Sequence, residues 1–231
     1  NLKKNGKLIT GDCYKNYNLS KNDEIDIIST INSVYGYFAV SGGFELKKNF
    51  GSFSTHVRSN VGANNGNKIQ KDEKFFIKDF EDKYANKSLK YMNSKIEYIR
   101  ILKGTNFDYF FEQSIKEFTS KEFLVTKLSD RMGMRLQGPK IKNLKETNIR
   151  SEGLIKGVIQ IPADGNPIIM LSDHGTIGGY PKIGVVISAD YDRLVQTPSG
   201  KKIKFKLIEL KEAEKLYKLY QMETENLLSQ I

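Results

Sequence analysis

Short runs of apolar, aromatic and β-branched residues recur along most of the chain, and glycine, asparagine, aspartate and proline separate them. The runs VYGYFAV 34–40, KIEYIRIL 95–102, FLVT 123–126, GVIQIP 157–162, PIIMLSD 167–173, KIGVVISAD 182–190 and KKIKFKLI 201–208 predict strands. Two stretches switch to helical spacing. Over 106–118, Phe107, Phe111, Ile115 and Phe118 share a face; near 209–228, Ala213, Leu216, Tyr217, Tyr220 and Leu227 do the same.

The segment 157–208 reads as a meander. Asp164-Gly165 suits the positive φ of a tight turn, and Pro167 is tolerated as the first residue of the next strand. PIIML and IGVVI are apolar at consecutive positions, which fits strands covered on both faces or curled into a barrel. TPSG 197–200 then turns the chain into the last strand, and the C-terminal helix is expected to pack on the outside. The fold class that follows is mainly β, a barrel with a few peripheral helices. Around 62–94 the pattern fades into polar, turn-rich sequence. This sets the expected division at 1–90, an N-terminal β half with its connector, and 91–231, the barrel.

Composition narrows the function classes. A chain of 231 residues buries a sizeable core without staples, and the single Cys13 forms no internal bridge. No apolar run approaches a membrane span and no signal-peptide pattern opens the chain, so the expected location is the cytoplasm, with no membrane partner. The start at Asn1, without an initiator methionine, points to a fragment or processed chain. The net charge of +10 raises the question of nucleic acid, but the lysines sit singly or in pairs among acids. A lysine-rich solvated surface, without nucleic-acid binding, is the reading that follows.

The candidate chemistry lies in two segments. His56 and His174 are far apart and no ligand spacing accompanies them, so no metal site is expected. Ser172, Asp173 and His174 adjoin, but consecutive strand residues alternate faces, which argues against a triad and leaves His174, judged alone, as a turn residue. GTIGGYP 175–181 lies between strands, so it matches neither a P-loop nor a dinucleotide fingerprint; its glycines suit a tight corner that a backbone or ligand approaches closely. In SDRMGMRLQGP 129–139, Arg131 and Arg135 form either a paired guanidinium clamp for a carboxylate or phosphate, or structural pairs with Asp130 or Asp173.

VYGYFAVSGGF 34–44, GSFSTHVRSNVG 51–62, SDRMGMRLQGP 129–139 and the long stretch 151–194 together resemble the family of the 5-oxoprolinase C subunit and the second subunit of allophanate hydrolase, in the family's order and over nearly the whole chain. The family normally opens with a Gln-Asp-Gly-Arg segment absent here, so the resemblance implies an N-terminally incomplete chain. It also implies a cyclophilin-like β fold and work within a complex, with A- and B-like oxoprolinase subunits as partners. That complex would open the lactam of 5-oxoproline to glutamate at the expense of ATP. Related domains stand beside biotin-dependent carboxylation in urea carboxylase. This keeps a carboxyltransferase or allophanate hydrolase-type component, with biotin, as an alternative, although TIGGYPKIGVVISAD is more similar to the stand-alone oxoprolinase protein. A second alternative is a regulatory module that binds a partner controlling a kinase.

With the resemblance in place, the corner reads as a binding wall for a small acid or acyl-phosphate. Asp173, Arg131 and Arg135 are assigned to catalysis, with Asp173 orienting an arginine or receiving a proton. Gly178 and Gly179 allow close approach, Thr176 or Tyr180 supplies a hydroxyl, and Gln160 and His174 complete the wall. Ser54, Thr55 and Arg58 are expected to join it from the N-terminal half.

Overall fold

A computed structural model describes residues 1–79, 87–89 and 97–229 of the chain. The expected boundary at 90/91 and the first residues of the run 95–102 lie outside the described residues. The chain divides into two compact units, Asn1–Ile27 with Gly36–Ser88, and Ile28–Tyr35 with Leu89–Ile231.

The first unit is mostly irregular backbone around short pairings. Strands β1 (Leu2–Lys4) and β2 (Lys7–Ile9) form a hairpin, and β3 (Glu24–Ile25) pairs with the other side of β1. The turn is Asn5-Gly6, with φ of 48° and 77°, the two positive values that a two-residue hairpin of matching twist requires. Strands β4 (Thr55–His56) and β5 (Val61–Gly62) form a second ladder. The run 34–40 is not a strand. The backbone of Val34 and Tyr35 bonds the Gln196 side chain rather than a neighbouring strand, and Tyr37 stays almost fully exposed.

The second unit contains β6 (Ile99–Lys103), β7 (Phe123–Val125), β8 (Gly133–Gln137), β9 (Glu152–Gly153), β10 (Val158–Gln160), β11 (Ile168–Met170), β12 (Ile177–Gly178), β13 (Lys182–Val186), β14 (Lys202–Ile203) and β15 (Phe205–Leu207). All but β9 and β12 join one eight-stranded sheet in the order β14-β7-β8-β11-β10-β13-β6-β15. The two edge strands are separated in the chain by Lys204 alone. The sheet therefore curls until its edges meet, and one continuous segment closes a barrel. The Lys201 carbonyl accepts the Val125 N–H at 2.8 Å on one side, and the Lys204 carbonyl accepts the Ile99 N–H at 2.8 Å on the other.

The hairpin β10–β11 lies at the centre of the sheet, and Gly165 in its turn has φ of 74°. Ile101, Ile159, Ile161, Ile169 and Ile183 are completely buried in the main core, together with an aromatic trio. Phe118 stacks on Phe205 at 4.5 Å and meets Phe123 edge-on at 5.6 Å. A separate cluster of Leu154, Val158 and Met170, with Ile168 and Val185, covers the opposite face of the central strands. This is why their sequence is apolar at consecutive positions.

Among its described residues three helices complete the unit, α1 (Glu112–Ser120), α2 (Ser188–Val195) and α3 (Leu210–Leu228). Helix α3 packs on α2 through Ile187, Ala189, Ile208 and Ala213, apart from the barrel core. Two expectations are corrected. The stretch 106–111 is not helical beyond a single 3-10 turn at Phe107–Tyr109, because Phe110 is extended and bridges Asn143. The run 182–190 leaves the sheet after Val186, and Asp190 sits in the first turn of α2, where its carboxylate is tied to Arg100. Among the described residues no helix is long and apolar enough to cross a membrane.

Candidate functional site

The loop 171–181 joins β11 to β13 and carries most of the residues singled out by sequence. At its first end the chain leaves the sheet after Met170, and Ser172-Asp173 form a turn closed by the His174 N–H on the Leu171 carbonyl at 3.2 Å. Strand alternation therefore does not govern these three side chains. Asp173 is fixed twice. Its N–H donates to the Arg131 carbonyl at 2.9 Å, and its carboxylate receives Arg131 Nε at 2.7 Å and Nη2 at 2.9 Å.

This bidentate geometry holds the guanidinium in one plane, and the Arg131 side chain is 55% exposed while Asp173 is 16% exposed. The local sequence builds the approach. Asp130 Oδ1 accepts the N–H groups of Met132 at 2.9 Å and Gly133 at 3.1 Å, a tight Asx turn that sets Arg131 at the entry to β8.

Arg135 is not brought to Asp173. It lies on β8 opposite Ile168, and its backbone is held by Ser129. Asp164 is pulled below the usual carboxylate range against the cost of burial, chiefly by Asn166, with smaller pulls from the Lys140 and Arg135 charges. Arg131 alone grips Asp173, and the two arginines do not form one clamp on it.

Beneath the turn lies a residue that sequence reading missed. Tyr191 of α2 is buried, and among the described residues its hydroxyl makes no hydrogen bond of ordinary geometry. Burial pushes its phenol up, against a smaller opposing pull from the Ser172 hydroxyl, with the Asp192, Tyr35 and Asp173 charges adding to the rise. The Lys156 ammonium stands 5.2 Å from the centre of its ring.

At the second end, β12 pairs with β9 to form a two-stranded ribbon, Ile177 opposite Gly153 and Gly178 opposite Glu152. The corner is packed from below. A Cβ at Gly178 would stand 2.6 Å from Gln160 Nε2 and 2.8 Å from Leu154 Cδ1, and one at Gly179 would stand 3.1 Å from the Ile149 carbonyl. Gln160 is buried and donates to the Tyr180 carbonyl at 3.2 Å, so it supports the corner's backbone. The Thr176 carbonyl receives the Leu154 N–H at 2.9 Å. His174 Nδ1 lies 2.6 Å from the Gly175 carbonyl, a local contact of a turn residue.

Gly178→Ala is expected to displace the Gln160 amide and cost about 1–3 kcal/mol. Gly175→Ala, whose Cβ meets nothing closer than 3.4 Å, is the control. Equal urea midpoints for the two variants would show that the corner is not packed against Gln160.

The largest omission of the sequence reading is Lys182. It opens β13 across from Gln160, at the point where the register of β10 and β13 shifts by one residue. Bulges of this kind re-aim side chains. Lys182 is 4% exposed, and its ammonium donates to Glu152 Oε2 at 2.6 Å, while its N–H donates to Asn106 Oδ1 at 3.1 Å. The one signal in sequence is a charged residue set at the head of the apolar run IGVV; its partners lie 30 and 76 positions away.

Lys182, with help from Asn106 and Thr105, holds Glu152 below its ordinary value of 4.5. A group with a lowered folded pKa stabilises the fold above its unfolded value and loses that contribution as pH falls through the folded one. The wild-type stability curve is therefore expected to drop below about pH 4.5 by a step that Glu152→Gln lacks, read by urea titration at successive pH.

Ser54, Thr55 and Arg58 belong to the first unit. The Thr55 hydroxyl donates to the Ala63 carbonyl at 2.8 Å, and Arg58 sits in the 3-10 turn Val57–Ser59, which the His56 Nδ1 caps by accepting the Ser59 N–H. A depression of about 520 Å³ is lined by α1 and β15 residues, among them Ile115, Thr119 and Lys206, rather than by the loop 171–181. Among the described residues no three His, Cys, Asp or Glu side chains gather to hold a metal ion.

Known proteins share this sequence and fold. The family model described as carboxyltransferase domain, subdomain A and B, matches residues 2–207. The chain is 34% identical over 183 residues to the C subunit of 5-oxoprolinase from Escherichia coli, covering 78% of this chain and 58% of that protein. It therefore spans less than two thirds of that relative's length. It is 28% identical over 193 residues to urea amidolyase of Saccharomyces cerevisiae, covering 73% of this chain and 10% of that protein. Among solved structures, the urea amidolyase of K. lactis superposes with a TM-score of 0.73 at 23% identity, over 82% of this chain and 13% of that one, a likeness of fold.

Proposed function

The chain belongs to the carboxyltransferase domain family, subdomain A and B, and from that premise we propose that it is a component of a 5-oxoprolinase-type complex that opens the lactam of 5-oxoproline to glutamate. The observation that carries this reading is the Arg131–Asp173 pair, a guanidinium held in plane and half exposed beside a glycine-rich corner. As water adds to a lactam carbonyl, negative charge develops on the carbonyl oxygen. A fixed guanidinium meets that charge without reorganising, which is the differential stabilisation a hydrolytic step needs. Asp173 holds Arg131 in position, and Gln160 supports the backbone of the corner at Tyr180.

In this reading ATP is consumed by the complex. The corner 175–181 runs into β13 rather than a helix, so it lacks the helix N-terminus that phosphate cradles use, and no step of this chain is assigned to ATP. The similarity to urea amidolyase supports a second reading, carboxyl transfer with biotin as the carrier.

The test is reconstitution with A- and B-like oxoprolinase subunits, 5-oxoproline and ATP. Glutamate formed only when this chain is present is the expected result. No glutamate, with carboxylation of urea when a biotinylated carrier is supplied instead, would transfer the chain to the second reading.

A further inference from the structure

We propose that Lys182 and Asn106 form a binding site for the carboxylate of a small acid, and that Glu152 of the same chain fills it as a displaceable occupant. The donors are built into the barrel. Lys182 is 4% and Asn106 5% exposed, a degree of burial that an ammonium and an amide bear only with partners. Asn106 is oriented by its own hydrogen bonds. Its Oδ1 accepts the Lys182 N–H at 3.1 Å and the Thr105 hydroxyl at 3.4 Å, so its Nδ2 is left as the donating end of the amide. Ammonium and amide N–H together are donors that a carboxylate accepts.

The occupant is held differently from the donors. Glu152 belongs to a ribbon strand of two residues, and its side chain is 44% exposed while that of Lys182 is 4% exposed. Rotation of one glutamate side chain into solvent would therefore empty the donors without disturbing the sheet, and a free acid would arrive from the same side. Gln160, cross-strand from Lys182, adds a buried amide beside the site.

A tethered carboxylate competes with free ligand at a high effective concentration, so the wild-type chain should bind small acids weakly and a chain without Glu152 should bind them better. This inference does not rest on lactam hydrolysis, since it concerns any small carboxylate.

The test titrates sodium acetate, against sodium chloride at equal ionic strength, into the full chain as wild type, Glu152→Ala and Lys182→Met. Binding is read by calorimetry and by the shift in melting temperature. Acetate should bind Glu152→Ala at least about tenfold more tightly than wild type and raise its melting temperature. Lys182→Met, which puts an apolar side chain of similar length in a buried place, should stay folded by circular dichroism and show no acetate response. The Asn106 side-chain amide resonances should move on titration of Glu152→Ala.

Equal affinity in wild type and Glu152→Ala overturns the proposal, as does binding that leaves the Asn106 resonances in place. If Lys182→Met does not fold, the ratio of wild type to Glu152→Ala and the Asn106 resonances decide alone. A parallel titration with 5-oxoproline separates the two readings. Acetate binding without 5-oxoproline binding supports the carboxylate site and counts against that acid as its ligand.

Discussion

Replacing Asp190 with alanine is expected to cost the barrel unit about 3–5 kcal/mol, the loss typical of breaking a buried ion pair from one side. Asp190 is completely buried at the start of α2. Its Oδ2 accepts the Arg100 main-chain N–H at 2.8 Å and Nε at 2.9 Å, and its Oδ1 accepts Nη2. Helix α2 has no side-chain N-cap, so this carboxylate in its first turn is also the charge that meets the helix's positive end. Alanine removes all three acceptances and leaves the Arg100 guanidinium, only 21% exposed, without its counter-ion. Asparagine keeps an acceptor for the Arg100 N–H and should cost less. The measurement is the urea midpoint at constant m-value. A loss below about 1 kcal/mol for Asp190→Ala would show that the pair does not anchor α2 to β6.

The second large effect is expected on turnover rather than on folding. Arg131→Lys keeps the charge but removes the planar fork that Asp173 grips through two parallel bonds. In the reconstituted complex this should lower turnover of 5-oxoproline by about 10²-fold or more, the range seen when one donor to a developing oxyanion is lost. Because Arg131 is more than half exposed, the same change should move stability by no more than about 1 kcal/mol. Asp173→Asn keeps one acceptor for Arg131 and loses the second and the charge, so it should lower turnover less than Arg131→Lys does. Normal turnover in both variants would reduce the pair to a structural clasp on the loop 171–181.

How much of this was readable in the chain depends on how local each signal is. The turn at Asp164-Gly165 and the two-faced strands around it were legible because turn chemistry and burial on both sides leave marks within a few residues. The Arg131–Asp173 pair was foreseen only as one of several pairings. Charge complementarity and two strand-end corners narrow the choice, but the register of β8 against β11 makes it. Arg135 had the same residue type and neighbourhood, and that register set it opposite Ile168 instead.

By itself the sequence determined most strands of the barrel, the C-terminal helix, the central hairpin, and the motif stretches that mark the family. Tertiary structure alone decided three things. The segment 202–207 closes the barrel by pairing with β7 on one side and β6 on the other, two strands that its own pattern does not identify. The run 182–190 turns from strand into helix because Asp190 meets Arg100, 90 positions away. Lys182 becomes a buried cation because a bulge aims it at Glu152 and Asn106. Hydrophobic period and turn chemistry act over a few residues along the chain, whereas these pairings are chosen by which distant groups the closed barrel brings within hydrogen-bonding reach.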